Sequence, residues 1–144
     1  MSNSETNLNN ALDALQSRIG QSNTASDWFE VTQDRIDGFA EVTMDHQWIH
    51  VDVEKAKSGP FGEPIAHGHL TLSIMGHLPK TESVPGPKLE GQKLSINYGF
   101  DKVRFPSPVP VGAQIRATST LKRAEIKGGM IETMNEVVVE VKGQ

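Results

Sequence analysis

The sequence predicts an α+β domain, a curved antiparallel sheet wrapped around a central helix. Three observations predict it. The piece AHGHLTLSIMGHL (66–78) is apolar or histidine on nearly every face, the pattern of a helix buried all round. After it the period changes from helical to alternating, and three alternating runs follow. At 144 residues the chain is long enough for one core and not two.

In chain order, residues 1–7 read as a frayed tail. Leu8, Ala11, Leu12, Leu15 and Ile19 then recur at helical spacing, an amphipathic helix ending near Gly20. We take residues 1–24 as tail and helix and 25–144 as the main domain. QSNTAS is a linker and WFEVT (28–32) a short first strand. Thr32, followed by Ile36, Phe39 and Val42, suits a capped helix over 33–42. Asp52 caps a second, VEKAKSG, which Gly59 and Pro60 close. PKTESVPGPKLEGQ (79–92) is a loop by composition. Leu94, Ile96, Tyr98 and Phe100 alternate, and the phase slips to Val103 and Phe105, which predicts a bulge near Asp101–Lys102. Ile115, Ala117, Ser119 and Leu121 form the second run. In the third, Ile131, Thr133, Val137, Val139 and Val141 oppose Glu132, Glu136 and Glu140, which should meet water. So small a sheet leaves free edges, and pairing with a second copy would cover one, so a homodimer is expected.

Composition narrows the function classes. With 36% hydrophobic and 22% charged residues the chain is an ordinary globular protein rather than a disordered one. Its net charge is −4 and it has no basic run, so a nucleic-acid partner is not expected. Cysteine is absent, which removes disulfides, thiolate ligands and cysteine nucleophiles. The polar start MSNSETNLNN lacks signal-peptide order, and no apolar run approaches the ~20 residues of a membrane span. The expectation is a cytoplasmic protein with no membrane partner.

Four of the five histidines fall in DHQWIHVDVEKAKSGPFGEPIAHGHL (45–70). On one α-helix Asp45 and His50 would point about 140° apart, so cooperation requires the chain between them to leave helical geometry. A carboxylate and an imidazole around one water make an acid–base pair near neutral pH. A capping Asp beside a hydrogen-bonded surface His is the plainer alternative. His46 and His50, at i and i+4, with His67 and His69 could suit zinc, but there is no H-E-x-x-H and no cysteine, so no metal is expected. Pro64 to Gly68 form a turn into the helix, where free N–H groups and the dipole favour developing negative charge. Gly68 would let a ligand oxygen approach, as in an oxyanion site; a turn needing Gly for backbone reasons explains it equally. Ser73 has no G-x-S-x-G context and is no nucleophile elbow.

FAEVTMDHQWIHVDVEKAKSGPFGEPIAHGHLTLS resembles the signature region of the MaoC-like dehydratases, the (R)-specific enoyl-CoA hydratase family with the hot-dog fold. Within it the chain is similar to the nodulation protein N-like subgroup. The family motif, an Asp, four residues and a His followed by P-I-x-H-G, falls on Asp45, His50 and Pro64–Gly68. NYGFDKVRFPSPVPVG (97–112) resembles the strand and turn after the helix. The resemblance implies that residues 25–144 are the hot-dog domain and that Asp45 and His50 activate one water. It also implies that the Gly68 N–H binds the thioester carbonyl oxygen and that Ser73 supports the site. Met44 departs from the family's T-G-D, where a larger side chain would alter access to the acyl pocket.

The implied reaction is (R)-specific hydration of trans-2-enoyl-CoA to (R)-3-hydroxyacyl-CoA, or the reverse dehydration, with no cofactor beyond the CoA or carrier-protein thioester itself. Thioester hydrolysis and non-catalytic acyl-thioester binding are the alternatives. Candidate phosphate contacts are Lys102 and Arg104, with Lys80, Lys88 and Lys93 nearby in sequence. His46 and His69 are expected to be bystanders and His67 structural.

Overall fold

The computed structural model describes residues 3–82, 86–87 and 89–144. Two compact units emerge, one of residues 1–25, 82–102 and 118–138, the other of 26–81, 103–117 and 139–144.

In the first unit, helix α1 (Asn3–Gln16) starts well before its apolar stripe. The expected tail is therefore helical from Asn3, because each residue added to an existing helix gains a hydrogen bond. Glu5 in the first turn suits the helix dipole. Ala11 is buried, and Gln16 Nε2 donates to the Ala124 carbonyl at 3.1 Å. Beyond the helix the chain runs antiparallel beside the strand containing Ser119–Leu121: Gly20 N–H donates to the Leu121 carbonyl and Asn23 N–H to that of Ser119. Gly128 and Gly129, both at positive φ, make the two-residue hairpin turn between the long strands.

The expected strand over 94–105 does not form. No described residue pairs with it, and Leu94, Ile96, Tyr98 and Phe100 are exposed, Tyr98 by 87%. The bulge near Asp101–Lys102 therefore does not arise. Alternation prepares a segment for a sheet, but only a neighbouring edge supplies its hydrogen bonds.

In the second unit, β1 (Phe29–Glu30) pairs antiparallel with the base of β2 (Gln114–Lys127), with Phe29 opposite Ile115. Strand β3 (Met130–Val141) completes the order β1-β2-β3. Glu140 meets Arg116 at 2.6 Å on the watered face, as the alternation requires. Helix α2 (Gln33–Thr43) begins at Thr32, whose hydroxyl accepts from Arg35 N–H, and buries Ile36 and Ala40 one turn apart. Val31, Ile36 and Ile115 are the largest fully buried side chains of the core, each contributing about 1.5–3 kcal/mol by leaving water. Two short helices follow, α3 (Trp48–Val51) and α4 (Val53–Lys57), and Asp52 caps α4 by accepting from Lys55 N–H. Helix α5 (Gly68–Ile74) is shorter than its apolar pattern implied and is not buried all round. Leu70 and Thr71 are buried whereas His69 and Ser73 are exposed. Gly76, poor in a helix interior, follows its last turn.

Candidate active site

The site is built inside the second unit by a reversal after α2. Met44, which closes that helix, adopts a left-handed conformation (φ 65°, ψ 14°). The chain thus leaves helical geometry at Asp45, whose carboxylate accepts weakly from Gln47 N–H at 3.4 Å. It becomes helical again at Trp48, which places His50 in α3.

His50 is 6% exposed and held from two sides. Its Nδ1 lies 2.6 Å from the Ile65 carbonyl, and Gln33 Nε2 donates to the His50 carbonyl at 2.8 Å. A carbonyl only accepts, so Nδ1 carries the hydrogen and Nε2 keeps the lone pair. Burial is the largest influence on this imidazole and pushes its pKa below the ordinary value of 6.5; the Ile65 carbonyl opposes that shift, His67 adds to it, and Asp45 opposes it.

The turn that grips His50 is itself anchored. Ala66 N–H donates to the Val109 carbonyl, Val111 N–H to that of Pro64, and Ile65 N–H to that of Ile49. It delivers His67, 2% exposed, to the start of α5. Its Nε2 lies 2.9 Å from the Asp45 carbonyl, and its ring stacks on His50 with centroids 3.8 Å apart and planes inclined by 26°. Asp45, His50 and His67 each bring a ligating atom within 4.8 Å of the others. Such a set raises the question of a metal, but imidazoles stacked nearly parallel send their in-plane lone pairs side by side. Two rings on one ion must instead converge at about 2 Å.

A family model for the MaoC-like domain matches residues 14–142. The chain belongs to that family. It is 47% identical over 131 residues to 3-hydroxyacyl-thioester dehydratase Z of Mycobacterium tuberculosis, covering 90% of this chain and 82% of the relative. It is 42% identical over 132 residues to nodulation protein N of Rhizobium leguminosarum bv. viciae, covering 90% and 80%. Among solved structures it is similar to the monoamine oxidase regulatory protein from Archaeoglobus fulgius, with TM-score 0.70 and 26% identity, covering 86% of this chain and 80% of that one. The (R)-hydratase PhaJ1 of Pseudomonas aeruginosa gives 0.60 at 21% identity, covering 86% and 72%, and shares the fold. The α+β, hot-dog class read from the sequence is therefore the class of this MaoC-like chain.

The remaining expected site residues of the MaoC-like domain lie as follows. Gly68 opens α5, so its N–H has no acceptor within the helix. A Cβ there would come within 2.8–3.0 Å of three Phe105 ring carbons, so packing against that ring by itself favours glycine. The exposed Ser73 hydroxyl donates to the His69 carbonyl one turn back, at 2.7 Å. Lys80, Lys93, Lys102 and Arg104 are exposed, and Arg104 folds onto the carbonyl of its own neighbour Val103. Lys88 lies outside the described residues. His46 pairs with Glu41 at 3.6 Å and His69 meets the Phe105 ring edge-on, so neither joins the cluster. Met44, expected to matter through its side chain, is 83% exposed; its distinctive feature is its backbone.

Gln33 was not among the expected site residues, and His67, expected to be structural, is buried and bonded to the Asp45 main chain. Gln33 had no local signal beyond its residue type, whereas His67 is the histidine of the P-I-x-H-G motif.

Proposed function

We propose that this MaoC-like protein hydrates trans-2-enoyl thioesters to (R)-3-hydroxyacyl thioesters and catalyses the reverse dehydration. As a member of a dehydratase family it is a hydro-lyase. The observation that carries the reading is the His50 imidazole, its tautomer fixed by the Ile65 carbonyl, with a ring nitrogen within 4.8 Å of the Asp45 carboxylate. In the hydration direction a water held by Asp45 gives one proton to His50 Nε2 and its hydroxyl to C3. The imidazolium then returns a proton to C2 on the same face. Electron density moves meanwhile onto the thioester oxygen, which the Gly68 N–H stabilises. Protons balance within the pair, so the scheme needs neither metal nor redox cofactor, and the stacked rings favour that version. Ser73 is taken as a wall residue supporting the site. Lys102 and Arg104 are proposed contacts for the phosphates of an acyl-CoA, and a carrier-protein thioester presents the same reacting atoms. We take the protein to be a cytoplasmic homodimer, since among the described residues no strand pairs the outer edge of β3. No helix among the described residues is long and apolar enough to cross a membrane.

The test is loss of the conjugated enoyl-thioester absorbance of a short trans-2-enoyl-CoA, with product chirality determined. Asp45→Asn and His50→Ala should each remove most of the activity without changing the fold. Parent-like rates in both variants would reject the assignment, and release of free thiol in place of hydration would identify a thioesterase.

A further inference from the structure

His67 has the burial of a core residue and the polarity of a functional one. In its neutral ring the Asp45 carbonyl fixes the hydrogen on Nε2, which leaves Nδ1 as a lone pair. That atom is buried and has no hydrogen-bond partner among the described residues. A ring needed only for bulk would be better served by phenylalanine, since burying an unsatisfied acceptor costs about 1–3 kcal/mol. The feature therefore calls for an explanation. Two contacts supply one. The Nε2 bond reaches across 22 residues to the main chain of Asp45. The ring face lies against His50, and Phe39, at a centroid distance of 5.0 Å, backs the His67 ring. Because His67 immediately precedes Gly68, the same ring also links that pair to the start of α5.

We infer that His67 is a positioning residue of the hydration reaction: its Nε2 holds the main chain of Asp45 while its face supports His50, so one ring sets the separation of the acid–base pair and its register with Gly68. The inference rests on Asp45 and His50 being that pair. Errors of about 1 Å in such geometry cost on the order of a hundredfold in rate, so the ring acts on turnover more than on substrate affinity. It also acts on the electrostatics of His50. The titratable groups that act on that imidazole among the described residues are His67 at the start of α5 and Asp45 from the α2–α3 turn. Of these, His67 favours the neutral imidazole and Asp45 the charged one.

Two variants separate the contacts. His67→Phe keeps a ring against His50 and loses the bond to Asp45, whereas His67→Gln can keep an N–H near the Nε2 position and loses the ring. Each should lower kcat about tenfold or more with KM for a short enoyl-CoA within about twofold of the parent. Each should also move the acid limb of the kcat/KM profile to higher pH. Phe39→Leu, which loosens the His67 ring without replacing it, should lower kcat several-fold in the same pattern, and it decides the matter if both His67 variants fail to fold. Nitrogen-15 NMR of the parent at neutral pH should show His67 with its hydrogen on Nε2. Folded variants with parent kcat and an unmoved acid limb overturn the inference, as does a His67 hydrogen on Nδ1. Asp45→Asn and His50→Ala are measured in parallel. If these remain active, the acid–base assignment fails; if only they are inactive, the failure is that of His67 alone.

Discussion

Met44 ends α2 with φ at 65°, in the region where a Cβ crowds the following carbonyl. It is the one non-glycine residue at positive φ among the described residues, and its side chain is 83% exposed. Replacement by glycine therefore relieves backbone crowding of about 1–2 kcal/mol and sacrifices little buried surface. Against this, glycine gives the unfolded chain additional freedom, about 0.4–1 kcal/mol. The net expectation for Met44→Gly is a gain of roughly 0.5–1 kcal/mol, or about 2–3 °C in Tm for a chain of this size. Met44→Ala is the matched control, since it removes the side chain but keeps the Cβ, and should gain nothing. Differential scanning calorimetry of the three proteins at one pH and concentration measures both differences. If Gly gives no increase, or Ala matches it, the strain argument is wrong and the left-handed turn is not what distinguishes this position.

Three further outcomes are expected. Gly59→Ala would place a Cβ 2.8 and 2.9 Å from two Trp48 ring carbons and 3.2 Å from the Ala56 carbonyl, so a loss of about 1–3 kcal/mol should appear in chemical denaturation. Gln33→Leu removes the donor to the His50 carbonyl and should cost about 1–2 kcal/mol together with part of kcat; a fully active, equally stable variant would show that this bond does not help to hold His50. Burial, first among the influences on His50, lowers its folded pKa below the unfolded value of about 6.5. The native state then binds fewer protons than the unfolded one in that window. The His50 contribution to stability is complete above about pH 6.5, declines as pH falls, and levels off below the folded pKa. The acid limb of kcat/KM should likewise inflect below 6.5, and an inflection at or above that value counts against a buried neutral base.

What could be read from the sequence were features whose partners lie close in the chain. Thr32 and Asp52 cap their helices because an N-cap needs only an N–H three residues on. The alternation at Ile115 and Ala117 was equally readable, as both are buried in β2. The Leu94–Phe100 run carries the same signal but forms no strand, because its pattern says nothing about which edge would receive it. The extent of α5 was overestimated for a related reason: an apolar pattern reports what a helix could bury, not how much neighbours cover. At the site, Asp45 and His50 were legible only as a pair in sequence order. Their proximity depends on a left-handed turn at Met44 and on the Ile65 carbonyl, and His67 acquires its meaning only through the stack.

The clamp around His50 also differs from the sheet in how far apart its ends lie along the chain. His50 and Ile65 are separated by 15 residues and Asp45 and His67 by 22, whereas Phe29 and Ile115 of the β1–β2 ladder are 86 apart (115 − 29). Loop closure grows with the logarithm of length, so bringing the Asp45–His67 ends together costs roughly 1 kcal/mol less than joining Phe29 to Ile115. During folding, the histidine stack is therefore a short-range event and the first-strand pairing a long-range one. A chain still searching for its sheet can already have drawn Asp45, His50 and His67 together.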